Sequence, residues 1–218
     1  MGLLDILLGR TKPVAPDLDR LFGLPSAAVT LQAAAGFTPT GQGAVCFATV
    51  EGAAFDDVRQ EVLALLGADA RRRDRDRDRG EDPDRESGGE PASVGGLPAV
   101  EVRRDDYGYT WLVSRRGPGE LPALVADLHA VNSSLESSGF GPQLLCSLVG
   151  FHDGGGRRLG LVYLYKRGTF YPFAPSAEGG ERRDNALELQ VRAVLADDLR
   201  VEQDLGRWFP LWGAPGLG

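Results

Sequence analysis

The sequence predicts a single α+β domain, with a mainly antiparallel sheet, helices packed on one face, and a disordered charged insert. Three observations carry this. Apolar positions alternate between helical and strand spacing, in the order helix, strand, helix, two strands, helix, two strands, helix, so neighbouring strands can pair as hairpins. The chain has 218 residues, 42% of them hydrophobic, which is enough for one substantial core. The block at residues 71–86 (RRRDRDRDRGEDPDRE) holds seven arginines and seven acidic residues and no apolar side chain, so nothing there offsets the entropy of ordering.

Residues 1–13 (MGLLDILLGRTKP) read as a short amphipathic helix with Leu3, Leu4, Leu7 and Leu8 on one side and the basic Arg10 and Lys12 after it. A secretory signal would carry positive charge before its apolar run, and a myristoylation signal would have Ser or Thr where Ile6 stands. Packing on a protein surface and contact with a membrane surface both remain open. The domain proper, residues 14–218, begins with one or two short helices over residues 17–35, where Leu18, Leu21 and Phe22 share a face and Pro25 starts a second turn. Gly36, Pro39 and Gly41 break this pattern, and residues 43–50 alternate as a strand. Phe55, Val58, Val62, Leu65 and Leu66 then mark an amphipathic helix. The insert occupies residues 68–96; a nucleic-acid arm is its sharper reading, but its charges alternate and cancel.

Residues 99–104 and 107–115 read as strands around a turn at Asp105 and Asp106. Tyr107, Tyr109, Trp111 and Val113 share one face, as core or groove lining; a base-stacking platform would need a basic surround. Leu121, Leu124, Val125, Leu128, Val131 and Leu135 form the clearest helix, closed by Gly139, with His129 on its flank. Residues 143–152 and 159–166 form a hairpin across a loose, glycine-rich turn. Asp184 or Asn185 caps a last helix running to Asp198, and the tail, residues 205–217, is apolar but broken by Pro210 and Pro215, so it lies across the body.

Composition excludes several functions. A net charge of −7 lacks the basic footprint that duplex nucleic acid demands. No apolar run approaches the ~20 residues that cross a bilayer. Cys46 and Cys146 each sit in an apolar run and read as buried, reduced thiols; with only His129 and His152 beside them, a zinc site would need an improbable convergence. No nucleophile elbow, zinc-protease, phosphate-loop or dinucleotide motif occurs. Ser133, His129 and Asp127 lie on one helix pointing different ways. No catalytic, cofactor-binding or metal-ligating residue is therefore assigned, and no cofactor is expected. One block invites a binding role: Tyr165, Lys166, Arg167, Phe170 and Tyr171 set two cations beside aromatics at a strand end. Such a group suits a carboxylate, a phosphate headgroup or an acidic partner helix, while a structural role with Lys166 lying over the aromatics is the simpler account.

Several blocks carry a family resemblance: GRTKP at 9–13, LPSAAVTLQAA at 24–34, YGYTWLV at 107–113, DLHAVNSSLE at 127–136, GFGPQLLCSLVGF at 139–151, LVYLYKRGTFYPFAP at 161–175 and RRDNALELQVRAVL at 182–195. Together they resemble the actinobacterial PspAB family, associated with phage shock protein A, over nearly the whole chain apart from the insert. The resemblance implies a non-enzymatic accessory protein of the PspA-type envelope stress response. It further implies a cytoplasmic protein, or one peripheral to the inner face of the cell membrane, with a PspA-like protein and a membrane metalloprotease of the HtpX type as partners. It brings no catalytic motif. The alternative from the residues is a small-anion or lipid-headgroup binding protein, or an enzyme, using the Lys166 and Arg167 region.

Overall fold

The apolar runs pair into one sheet, because each extended segment can bury its backbone amides and carbonyls only by bonding them to a neighbouring strand. A computed structural model describes residues 16–48, 60, 64 and 101–217. Among these, the strands are β1 (Thr38–Ala48), β2 (Glu101–Arg104), β3 (Tyr109–Arg115), β4 (Leu144–His152), β5 (Arg158–Leu164) and β6 (Thr169–Phe173). The helices are α1 (Leu24–Ala35), preceded by a 3₁₀ turn at Leu18–Gly23, α2 (Leu121–Leu135) and α3 (Asn185–Val194). The strands line up as β2-β3-β1-β4-β5-β6, each pair antiparallel. This is the expected α+β class. The helix of residues 1–13, the body of the helix over residues 55–66 and the insert at 68–96 lie outside the described residues.

Register decides which side chains face which way. One row across the sheet runs Arg103, Trp111, Cys46, Cys146, Leu164 and Thr169, each directly opposite the next. The adjacent row runs Leu112, Val45, Ser147, Tyr163 and Phe170. Opposed residues share a face and successive ones alternate, so these rows look to opposite sides.

Helices cover the second row. On α2, Leu124 and Leu128 are fully buried, and Asn132 donates from Nδ2 to Ser147 Oγ at 2.9 Å. Asp127, 2% exposed, receives Arg116 through Nε and Nη2 at 2.7 Å each and the Ser114 hydroxyl at 2.9 Å, so a paired charge is sealed at this interface. The Tyr163 hydroxyl donates to the Asp17 carbonyl at 2.8 Å, tying the first 3₁₀ turn to β5. On α3, the Asp184 carboxylate caps Leu187 N at 3.0 Å.

The C-terminal tail covers part of the first row. As expected, it lies across the body: Trp208, Ala214 and Leu217 are buried, the Tyr171 hydroxyl donates to the Phe209 carbonyl at 2.9 Å, and the Phe173 ring meets Trp212 edge-on at 5.0 Å. The tail comes so close to β4 that a Cβ on Gly150 would run into the Gly216 carbonyl oxygen. Only glycine fits there.

Three expectations need correction. Residues 169–173, read as an aromatic cluster beyond the end of a strand, are a sixth strand; Pro172 masks the signal, and it is tolerated because β6 is the outermost strand and needs no donor on its outer side. β1 starts at Thr38, passing through Pro39 and Gly41, which had read as breakers. A register shift between Pro39 and Gly43 absorbs them as a bulge: Gly41 has φ 76°, and a Cβ there would strike the Arg116 carbonyl oxygen. α3 stops at Val194, short of Asp198, as the chain turns: the Asp198 and Leu199 amides both bond the Leu195 carbonyl, at 3.2 and 2.9 Å.

Candidate functional site

Where the tail stops covering the first row, the sheet is left with a cleft of about 640 Å³. Its floor is the middle of that row: Trp111, Cys46, Cys146 and Leu164. One wall is the β2–β3 hairpin, the other the tail segment from Phe209 to Trp212.

The hairpin wall is built on Asp105. Its Oδ1 accepts the backbone amides of Tyr107 at 3.0 Å and Tyr109 at 2.8 Å, an Asx-type turn, and its Oδ2 accepts the Trp111 indole N–H at 2.9 Å. One carboxylate thus shapes the turn and orients the largest ring of the floor. Trp111 is buried, whereas Tyr109 is 41% and Tyr107 59% exposed along the same wall. The Tyr107 hydroxyl donates to Glu181 at 3.0 Å, closing the rim; that bond to a carboxylate, with some burial, pushes the phenol's pKa upward. On the opposite side Phe209 is 58% exposed, and Tyr171 lies deep, with burial raising its phenol well above the ordinary range.

Two aspects of the cleft constrain its chemistry. Apolar and aromatic groups dominate the lining; among the described residues its formal charges are the carboxylates of Asp105 and Glu181, and no Lys, Arg or His lines it. A guest with an apolar body and a positive end fits that field, by ring contact and by charge. The second aspect is the thiol pair. Cys46 and Cys146 are both buried and unoxidised, and they are register partners on adjacent strands. The Cys46 thiol is pushed far above the usual range, first by its hydrogen bond with Cys146 and then by burial. Among the described residues no three His, Cys, Asp or Glu side chains are grouped to hold a metal ion.

The residues singled out in the sequence are dispersed. Lys166 and Arg167 are exposed in the turn between β5 and β6. Arg167 Nε reaches Glu202 at 3.3 Å. Burial raises the Glu202 carboxyl, but the Asp204 amide, the Thr169 hydroxyl and Arg167 together outweigh it and hold the group below its ordinary value. The aromatics do not gather round these cations. Phe170 turns to the helix-covered face, 5.1 Å from Tyr163, and Tyr171 faces the cleft. Tyr165 is buried, its phenol pushed up to about 12 by burial and then by Glu136. Of the five, only Tyr171 contributes to the cleft. Leu3, Leu4, Leu7, Leu8, Arg10 and Lys12 lie outside the described residues. The apparent Ser133, His129, Asp127 set is not assembled: Asp127 is committed to Arg116, while His129 meets Asp19 at 3.3 Å and the Phe22 ring at 4.9 Å.

A family model described as PspAB, PspA associated protein B, matches residues 1–85 and 91–216. The chain belongs to the PspA associated protein B family. Neither the curated proteins nor the solved structures include a match to it. The family's description names an association with PspA, and nothing in that description specifies a reaction.

Among the cleft residues, sequence reading found the row Tyr107, Tyr109 and Trp111 but missed its partners. Asp105 appeared only as a turn residue; its spacing of two and four from Tyr107 and Tyr109 is the signal that could have marked it as the organiser of the wall. Glu181 and Phe209 reach the rim from distant parts of the chain and carry no local signal.

Proposed function

We propose that this PspA-associated protein is a non-enzymatic accessory of the PspA-type envelope stress response, and that it holds a PspA-like partner by the aromatic cleft. The observation that carries this reading is the cleft's lining: exposed Tyr107, Tyr109 and Phe209 over an apolar floor, with Asp105 and Glu181 as the only charges among its described residues, in a chain of net charge −7. Rigid aromatic rings with few rotatable bonds are favoured anchors at protein interfaces. Acidic rims select a partner segment that brings apolar side chains together with Arg or Lys. On this reading the protein works in the cytoplasm, and it reaches the inner face of the membrane through its partner rather than by its own lipid contact. A membrane metalloprotease of the HtpX type is a further candidate partner for the same surface.

The test is a titration of the PspA-like protein of the same genome against wild type, Tyr109→Ala/Phe209→Ala and Lys166→Ala/Arg167→Ala, with anionic vesicles as a separate arm. The cleft variant should weaken binding at least tenfold, about 1.4 kcal/mol, while the Lys166 variant changes little. If the Lys166 variant alone abolishes binding, or if the wild type binds vesicles tightly without a partner, the anion-site or membrane reading replaces this one.

A further inference from the structure

The two thiols on the cleft floor face each other across one step of an antiparallel ladder, Cys46 on β1 and Cys146 on β4. Directly opposed residues in such a pair have Cα atoms about 4.5–5.5 Å apart, inside the range of about 4.4–6.8 Å that a disulfide spans. Their side chains leave the sheet on the same side, directly opposite one another in the register. Both residues line the cleft, so the pair lies at its floor and is approached from it. The strands they would join are already paired, and the link asks for little backbone movement.

We propose that Cys46 and Cys146 form a reversible oxidation site, closing to a cross-strand disulfide when a hydroperoxide enters the cleft. The sulfur of Cys146, the more open of the two at 5% exposure against 2%, attacks a peroxide oxygen. The O–O bond breaks, leaving a sulfenic acid and one molecule of water or alcohol, which takes up the thiol proton. The Cys46 sulfur then attacks the sulfenic sulfur, the S–O bond breaks, and the second thiol proton leaves with the hydroxyl as water. Sulfur is oxidised by two electrons in all and the peroxide is reduced by two. A dithiol reverses the step by exchange. Burial keeps the reaction slow at neutral pH, and the neighbouring thiol makes the disulfide its end point. This inference does not depend on which partner the cleft takes.

The experiment treats the native full-length protein with hydrogen peroxide, then denatures it and alkylates the remaining thiols for mass spectrometry, with near-ultraviolet circular dichroism followed throughout. The expected result is a monomer lighter by two hydrogen atoms, with both alkylation sites lost, a peptide pair joined through Cys46 and Cys146, an unchanged dichroism signal, and recovery of both sites on adding a dithiol. Cys46→Ser should instead leave Cys146 as a sulfenic acid that a cyclic diketone traps. Two thiols still alkylated after prolonged treatment, disulfide-linked dimers, oxidation of one cysteine beyond sulfenic acid in the wild type, or a disulfide that appears only as the dichroism signal collapses would each overturn the proposal. Failure here leaves the partner titration untouched, since that measurement is made on the reduced protein.

Discussion

The two faces of the sheet are built from the same kinds of side chain and finished differently. One face takes α2 along its length, with Leu124, Leu128 and Val131 buried and the Arg116–Asp127 pair sealed beneath. The other receives an irregular tail that lies across β4 to β6 and reaches β1 at Gln42, leaving Tyr109 and Phe209 partly in solvent around a cleft. A helix satisfies its own backbone and so can close a face completely. A tail without regular structure must find partners for its amides and carbonyls on the body, as at the Tyr171 hydroxyl, and it covers only where it finds them. The closed face supplies stability and the half-closed face supplies a surface.

That division can be broken most directly by truncating one residue on each side. Leu128→Ala, at a fully buried position under α2, should cost about 2–5 kcal/mol, while Tyr109→Ala, at the cleft wall, should cost no more than about 1 kcal/mol. Urea unfolding of both variants measures this, and equal losses would mean that the cleft face is as much a core as the helix face. A smaller effect is expected at the seam between tail and sheet. Gly150→Ala places a methyl group against the Gly216 carbonyl oxygen, and it should cost about 1–3 kcal/mol while freeing the end of the tail. Faster protease cleavage near Leu211, with the sheet still folded, would show that the tail is a separable cover; intact resistance would show that it is integral.

The smallest effect concerns pH and the root of the tail, where Glu202 holds Thr169, Arg167 and the Asp204 amide. Its carboxyl is held below the ordinary value in the folded state, so its ionised form stabilises the fold above the unfolded value of about 4.3, and this contribution is lost as pH falls through the lower folded value. Wild type should therefore lose more stability than Glu202→Gln when urea midpoints are compared between about pH 6 and about pH 3. Parallel acid limbs in the two proteins would remove Glu202 from the account.

Most of the closed face could be read from the chain. The spacing of Leu121 through Leu135 marked α2, with Gly139 at φ 86° just beyond its end, and β3, β4 and β5 stood out as apolar runs buried at consecutive positions, on both faces of the sheet. β6 was missed because the amide that Pro172 lacks is read as a break, although at an outer strand no partner requires it. The cleft was legible only in part. Tyr107, Tyr109 and Trp111 announce themselves by alternation, but Glu181 and Phe209 join them through tertiary folding alone, and the meeting of Cys46 with Cys146 depends on a register that no local pattern specifies. The Lys166 block is dispersed for a related reason: residues adjacent in a strand point to opposite faces, so Phe170 and Tyr171 cannot both attend the same cation.

Pro172 has a wider consequence. Along the outer side of β6 the donors would come from residues 170, 172 and 174. The Phe170 amide binds the Arg200 carbonyl at 2.8 Å, Pro172 has no donor, and the Ala174 amide is taken by the Glu188 carboxylate at 2.9 Å. This margin offers an incoming chain no free hydrogen to pair with, so another polypeptide cannot extend the sheet from it. Self-templating growth from β6 is blocked by its own hydrogen bonding, and any visitor on this side of the molecule must engage side chains.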